Sequence, residues 1–328
     1  MSVAFSDQVG FMEKECDVNS LIDSLVTLFS KAQLVATLPL LAKLMRQPWY
    51  NFCFGSKPVK SAPLTGPAAF QAIAKNAVHR RVGGDISAGP GDLLQRFLMY
   101  KDKEGQGIPI DELELEAFSP AVAGPDSTAM ALRAGVLYIA THQRVHRKMM
   151  AEIDEADRAG KLSHPVAYTE IKKLPYFNAI VKEIFRVFPP IGTAFPRVVP
   201  PEGVTILGHF LPGGTEIGMN FWAISRDKSV YGEDADYFRP ERWLESPEKA
   251  KLFDRYDLNF GAGHCICVGK NIALVEVHKV LLEIFRNFDV DVLDPTNPWK
   301  LKNILTFVAH DFNIKLSQRG VPSAVEGP

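Results

Sequence analysis

Phe260-Gly261-Ala262-Gly263-His264-Cys265-Ile266-Cys267-Val268-Gly269-Lys270-Asn271-Ile272-Ala273 is the sharpest local pattern in the chain. Glycines at 261, 263 and 269 permit tight turns and let the backbone approach a flat partner closely. The residues after it keep apolar side chains at helical spacing, which predicts a helix over 271–285. Cys267 therefore stands where the helix starts, and unpaired backbone N–H groups there favour a thiolate. Small and apolar neighbours would keep the sulfur dry. That combination suits a thiolate bound to a metal whose other ligands come from a cofactor. The plain alternative is a glycine-rich turn with two buried thiols. A C-x-C zinc site is a third reading, but zinc usually takes four Cys or His ligands at short spacing, and His264 supplies only one more.

Upstream, Glu183-Ile184-Phe185-Arg186 falls in a helix expected over 176–188 and stopped by Pro189-Pro190. Residues three apart share a helix face, so Glu183 and Arg186 can pair. Most such pairs lie on solvated faces. Here Ile180, Ile184 and Val187 make the helix apolar, and a partly buried pair needs a third partner. Arg242, in Phe238-Arg239-Pro240-Glu241-Arg242-Trp243, is the candidate. A long pattern over 110–141 is acidic at its start, as the positive end of a helix dipole prefers. Pro120 and Pro125 interrupt it, and each predicts a kink. Asp126-Ser127-Thr128 at that break reads as a proton relay or water site. It reads equally as an internal cap restarting the helix after Pro125.

Residues 1–165 are expected to be mostly helical, with helices over 18–28, near 92–99 and over 143–159, and a loop over 80–91. An apolar patch at 34–45 reads as a buried helix or as a segment lying on a membrane. Strand candidates at 204–206 and 215–217, with glycines and Pro212 between them, predict a hairpin. Short strands at 289–292 and 312–316 close the chain. Helices first and small sheets late give a mainly α, α-rich α+β class rather than alternating βαβ units. The 328 residues are 46% hydrophobic and 23% charged, ordinary values for a globular chain. A net charge of −1 offers no basic surplus for nucleic acid. The four cysteines, Cys16, Cys53, Cys265 and Cys267, fit a reducing compartment. No apolar run is long enough for a membrane span, and the N-terminus shows no signal-peptide pattern.

Together these patterns resemble the cytochrome P-450 family of haem-thiolate monooxygenases, and the stretch from Trp222 to Trp243 looks particularly like fungal members such as pisatin demethylase. The resemblance covers essentially the whole chain as one domain, 1–328. It implies haem as cofactor, with Cys267 as the axial thiolate and metal ligand and with Phe260, Gly261, Gly263 and Gly269 shaping the loop. Arg197, in Pro196-Arg197-Val198, matches an arginine that binds a haem propionate. Glu183, Arg186 and Arg242 match the family's salt-bridge triad. Asp126, Ser127 and Thr128 match the oxygen-activating groove, where protons reach bound dioxygen. Phe118, Ala123, Thr193, Ala194, Leu305 and Thr306 are implied to line the substrate pocket. The implied partners are O2, a small lipophilic substrate of the fungal secondary-metabolite kind, and a separate NADPH-dependent reductase. Contact with a membrane surface is also implied, but not with nucleic acid. Three departures stand out: Cys265 replaces the usual basic residue, Ser127 the usual threonine, and the first residues match a region well inside the fold. A P-450 fold without its N-terminal helices and much of its large sheet is therefore expected, and the alternative function is a non-catalytic remnant that binds haem weakly or not at all. Localisation stays open between the endoplasmic-reticulum surface, for a longer form, and the cytoplasm.

Overall fold

A computed structural model describes residues 4, 9–38, 43, 44, 47, 67–84 and 91–320. Helices α1 (Leu21–Thr37), α2 (Pro67–Val82) and α3 (Leu93–Met99) precede the long α4 (Ile110–Thr141). Two compact units divide the chain, Met1–Asp126 and Ser127–Pro328, and the division falls within α4.

The first unit packs small and aliphatic side chains. Phe70, Ala74, Ala77 and Val78 fall on one face of α2 and are buried with Leu21 and Leu25 of α1 and Leu113, Ala117 and Ala121 of α4. Asp92 caps α3 by accepting the Gln95 N–H at 2.8 Å. The same carboxylate takes Arg81 Nη2 at 2.8 Å, with both side chains buried. The loop expected over 80–91 is thus partly helical, since α2 runs to Val82, and 85–90 lie outside the described residues. The patch at 34–45 is not a buried helix where it is described: Leu34, Leu38 and Leu44 are exposed. Positions 39–42 and 45 lie outside the described residues, as does Cys53.

In α4 the prolines cause no break, and Pro120 and Pro125 both lie inside one helix of 32 residues. Asp126 is therefore not the cap of a restarted helix. A proline removes one backbone hydrogen bond, but packing dominates helix stability. Ala117, Ala121 and Val122 are buried before the Pro125 position, and Met130, Ala131 and Ala134 after it.

The second unit continues with α5 (Gln143–Arg158), α6 (Pro175–Val187), α7 (Pro247–Tyr256) and α8 (Lys270–Asn287). Val145, Met149, Ile153 and Ala156 form the buried stripe of α5. Helix α6 is the centre, buried continuously from Ala179 to Val181 and from Glu183 to Val187. Glu152 of α5 accepts the Tyr176 and Phe177 N–H groups at 2.9 and 2.8 Å, which satisfies the start of α6. Among the described residues the strands form two-stranded antiparallel ladders: β1 (Arg197–Val198) with β4 (Glu216–Ile217), β2 (Val204–Ile206) with β3 (His209–Leu211), β5 (Phe288–Val292) with β8 (Ile314–Gln318), and β6 (Lys300–Ile304) with β7 (Thr306–His310). The hairpin expected between 204–206 and 215–217 is not formed. Leu207 and Gly208 have φ of 50° and 81° and close β2 onto β3 directly. Turns of that hand match strand twist. No helix among the described residues is long and apolar enough to cross a membrane.

At Gly135, α4 packs closely against Leu281 of α8. A Cβ there would lie 2.6 Å from Leu281 Cδ1 and 3.3 Å from Ile184 Cδ1. Leu281 is itself fully buried and has nowhere to swing. Overpacking costs about 1–3 kcal/mol, and alanine returns about 1 kcal/mol of helix propensity. Gly135→Ala should therefore lower stability by roughly 1 kcal/mol, and Gly135→Ala with Leu281→Val should recover part of the combined loss. Urea denaturation of the four proteins checks this, and strictly additive effects would refute the contact.

Candidate functional site

The carboxylate of Glu183 is fully buried and accepts five hydrogen bonds. Arg186 Nε and Nη2 donate at 2.8 and 2.7 Å, Arg242 Nε at 3.0 Å, Trp243 Nε1 at 2.9 Å and the Arg239 N–H at 2.9 Å. The two buried guanidiniums then bind the backbone of residues 225–237, which lie between β4 and α7. Arg186 donates to the carbonyls of Ser225, Ala235 and Tyr237 at 2.8, 2.6 and 3.0 Å. Arg242 donates to the Tyr231 and Asp234 carbonyls at 2.7 and 2.9 Å, and to Asp234 Oδ1 at 3.1 Å. One carboxylate and two cations thus fix the path of residues 225–243 in the unit's core. Trp243 and Asp234 were missed in the sequence reading. Trp243 directly follows Arg242, and an indole N–H in a buried aromatic residue is the signal that could have found it.

The neighbouring Glu241 ties the same loop to α5. It accepts Lys148 Nζ at 2.8 Å and the Tyr176 hydroxyl at 3.0 Å, and it pairs with both Nη atoms of Arg144. Burial alone would push the Glu241 carboxyl up, but the hydrogen bonds from Arg144, Lys148 and Tyr176 outweigh it and hold it at about 2.

Residues 257–270 form the loop before α8. Asp257 Oδ1 accepts the Asn259 backbone N–H at 3.1 Å, and the Gly261 N–H donates to the Leu258 carbonyl at 2.8 Å. The Cys267 N–H donates to the Phe260 carbonyl at 2.7 Å, closing the loop at its base. Gly261 has φ of 73°, and a Cβ there would lie 2.8 Å from the Cys265 carbonyl oxygen. Phe260 packs its ring 5.2 Å from that of Phe185, fastening the loop to α6. The Lys270 N–H donates to the Cys267 carbonyl at 3.3 Å, so the cysteine leads directly into α8.

The thiols are not buried in a turn: Cys265 and Cys267 are both exposed. Around Cys267, Ile266 is 49% exposed, Val268 100% and Ile272 37%. A rigid loop that turns a soft sulfur and three apolar side chains outward fits an apolar, metal-bearing group such as haem. A Cβ on Gly269 would meet only Cys267 Sγ, at 3.7 Å, so the chain itself leaves the face beside the sulfur uncrowded. No three His, Cys, Asp or Glu side chains among the described residues gather to hold a metal by themselves.

Arg197, at the start of β1, is exposed and donates to the Phe195 and Pro196 carbonyls at 3.0 and 3.2 Å. A bridge between Ile191 and Thr306, and the Gly192 N–H on the Leu305 carbonyl at 3.1 Å, bring the segment leading into Thr193 and Ala194 beside Leu305 and Thr306. In α4, Thr128 is buried, Asp126 and Ser127 are half-buried, and Ala123 is exposed. Phe118 packs on the core of the first unit.

The fold is that of solved cytochromes P450. The retinoic acid bound cyanobacterial CYP120A1 superposes with a TM-score of 0.68 at 21% identity, covering 77% of this chain and 56% of that one. The family model described as Cytochrome P450 matches residues 1–317, and the chain belongs to that family. A cytochrome P450 monooxygenase of Aspergillus terreus is 36% identical over 300 residues, which is 89% of this chain and 59% of the relative. Cytochrome P450 monooxygenase ACRTS1 of Alternaria alternata is 32% identical over 318 residues, 97% of this chain and 84% of that one. The chain thus spans 59% and 58% of the length of two Aspergillus relatives that it matches.

Two outcomes follow for the charged clusters. Glu183→Gln removes the anion that two buried guanidiniums share and should cost about 3–5 kcal/mol in urea denaturation. A loss below 1 kcal/mol would contradict the burial described here. Glu241 has a carboxyl depressed in the folded protein from 4.5 to about 2. Its stabilisation is therefore complete above about pH 4.5 and fades as pH falls toward 2. Glu241→Gln should flatten the stability profile in that window, measured as thermal midpoint against pH, and an unchanged acid limb would count against the assignment.

Proposed function

We propose that this chain carries the catalytic part of a haem-thiolate monooxygenase that inserts one oxygen atom of O2 into a small lipophilic metabolite of the fungal secondary class. The observation that carries this reading is the exposed Cys267 thiol, framed by exposed apolar side chains on a loop locked to the core. Cys267 Sγ would hold the haem iron as its thiolate ligand, and Gly261, Gly263 and Gly269 would let the loop backbone approach the group closely. Phe260 holds the loop on α6. Arg197 offers a positive charge to a haem propionate. Bound there, haem supplies the reductive activation of dioxygen, for which a thiolate ligand favours O–O cleavage.

The rest falls to the chain's own side chains. The Asp126 carboxyl and the Ser127 and Thr128 hydroxyls of α4 hold and pass protons. Thr193, Ala194, Leu305 and Thr306 bind and orient the substrate. Glu183, Arg186 and Arg242 touch no reacting atom and keep the 225–243 loop in place. Electrons come from a separate NADPH-dependent reductase. The relatives named monooxygenases come from fungi, which supports the substrate class by analogy alone.

A reduced carbon-monoxide difference spectrum tests the assignment. The thiolate-shifted band should be present in the parent protein, absent in Cys267→Ala and retained in Cys265→Ala. Folded protein without haem absorbance after reconstitution would sink the reading, and loss of the band in Cys265→Ala alone would move the ligand to the other thiol.

A further inference from the structure

Leu305 is the single residue between β6 and β7, whose register pairs Ile304 with Thr306 and Asn303 with Phe307. Its φ is 95°, a left-handed backbone that a branched L side chain rarely adopts. A two-residue turn would close the same hairpin without it. The neighbours that hold it there converge on one side chain. Asn303 Nδ2 donates to the Gly192 carbonyl at 2.9 Å, while Asn303 Oδ1 accepts the Leu305 N–H at 3.3 Å. The Gly192 N–H returns to the Leu305 carbonyl at 3.1 Å, and the Phe307 N–H reaches the Pro190 carbonyl at 2.9 Å. Gly192 has no room for a side chain: a Cβ would lie 2.6 Å from Asn303 Nδ2 and 2.7 Å from Phe307 Cε2. Glycine at 192 lets the Asn303 amide lie flat against the backbone.

Strained residues over-determined by their surroundings cluster at ligand clamps. We propose that Asn303 is a positioning residue for substrate selection. It latches the 303–306 turn onto segment 190–192 and so sets where Leu305 stands relative to Thr193 and Ala194. The inference rests on the reading that these residues face the substrate. Asn303 itself is not a catalytic residue, because it acts through Leu305 and Gly192.

The test compares Asn303→Ala and Leu305→Gly with the parent protein in two measurements. The first is amide hydrogen exchange of the full chain, which needs no haem. Asn303→Ala should speed exchange at Gly192 and Leu305 roughly tenfold and leave the β5–β8 ladder unchanged. The second is optical titration of the haem-loaded protein with imidazole and with 4-phenylimidazole. Both substitutions should shift the ratio of the two dissociation constants by about threefold or more. Unchanged exchange in Asn303→Ala overturns the latch. Faster exchange with an unmoved ratio overturns the selective role and leaves Asn303 merely structural. A parent protein that gives no optical shift with either probe overturns the proposed function and the selective role with it, and the exchange rates alone then decide whether Asn303 latches the turn.

Discussion

A single buried carboxylate between two buried guanidiniums is the constraint on which the second unit depends. Glu183 is shielded from water, as are Arg186 and Arg242. Desolvating three charges costs several kcal/mol each, so the cluster persists only because nearly every donor is used. The surplus positive charge is met by backbone carbonyls of residues 225–237 and by Asp234. That requirement gives an otherwise irregular stretch one defined course. It also explains why α6 is buried on nearly all sides although it contains charge. The polar face of this helix looks at a loop, not at solvent.

The thiol loop is held from two directions by different means. Phe260 anchors it on α6 by ring packing, and the hydrogen bond from Cys267 to Phe260 closes its base. Rigid backbone with apolar, outward side chains is an unusual combination for a surface loop, since loops are commonly polar and mobile. Here the rigidity belongs to the backbone and the outward face belongs to recognition. The charged cluster and the thiol loop share α6, so one helix carries both the structural lock and the seat of the loop.

Much of this was legible in the residue pattern. The helices at 143–158 and 270–287 follow directly from apolar spacing. Glu183 and Arg186 were visible as an i,i+3 pair, and the apolar run around them pointed to burial. What stayed hidden was non-local. Nothing in the sequence near 204 says that Leu207 accepts a positive φ, so the hairpin was paired with the wrong partner. The β6–β7 hairpin closes over one residue, Leu305, which carries no turn signal of its own, so the pattern does not reveal its strands. In α4 local rules favoured a break at Pro125, and burial on both sides of that position overrode them. The exposure of the two thiols was also illegible, because a glycine-rich turn reads the same whether it faces inward or outward. The identity of the family came from several motifs in order, and no one motif would have been enough.

The partners of Glu183 are far apart along the chain. Its bonds to Arg239, Arg242 and Trp243 span 56, 59 and 60 residues. Such contacts must close long loops before any energy is returned, and chains rich in them fold slowly. Until the 225–243 segment arrives, the Glu183–Arg186 pair within α6 lacks the Arg242, Trp243 and Arg239 donors that complete the carboxylate's shell. The cluster is therefore completed only when segments far apart in sequence have packed together. Damage to the loop, however distant from the thiol, should act first on the fraction of newly made chains that reach the native state.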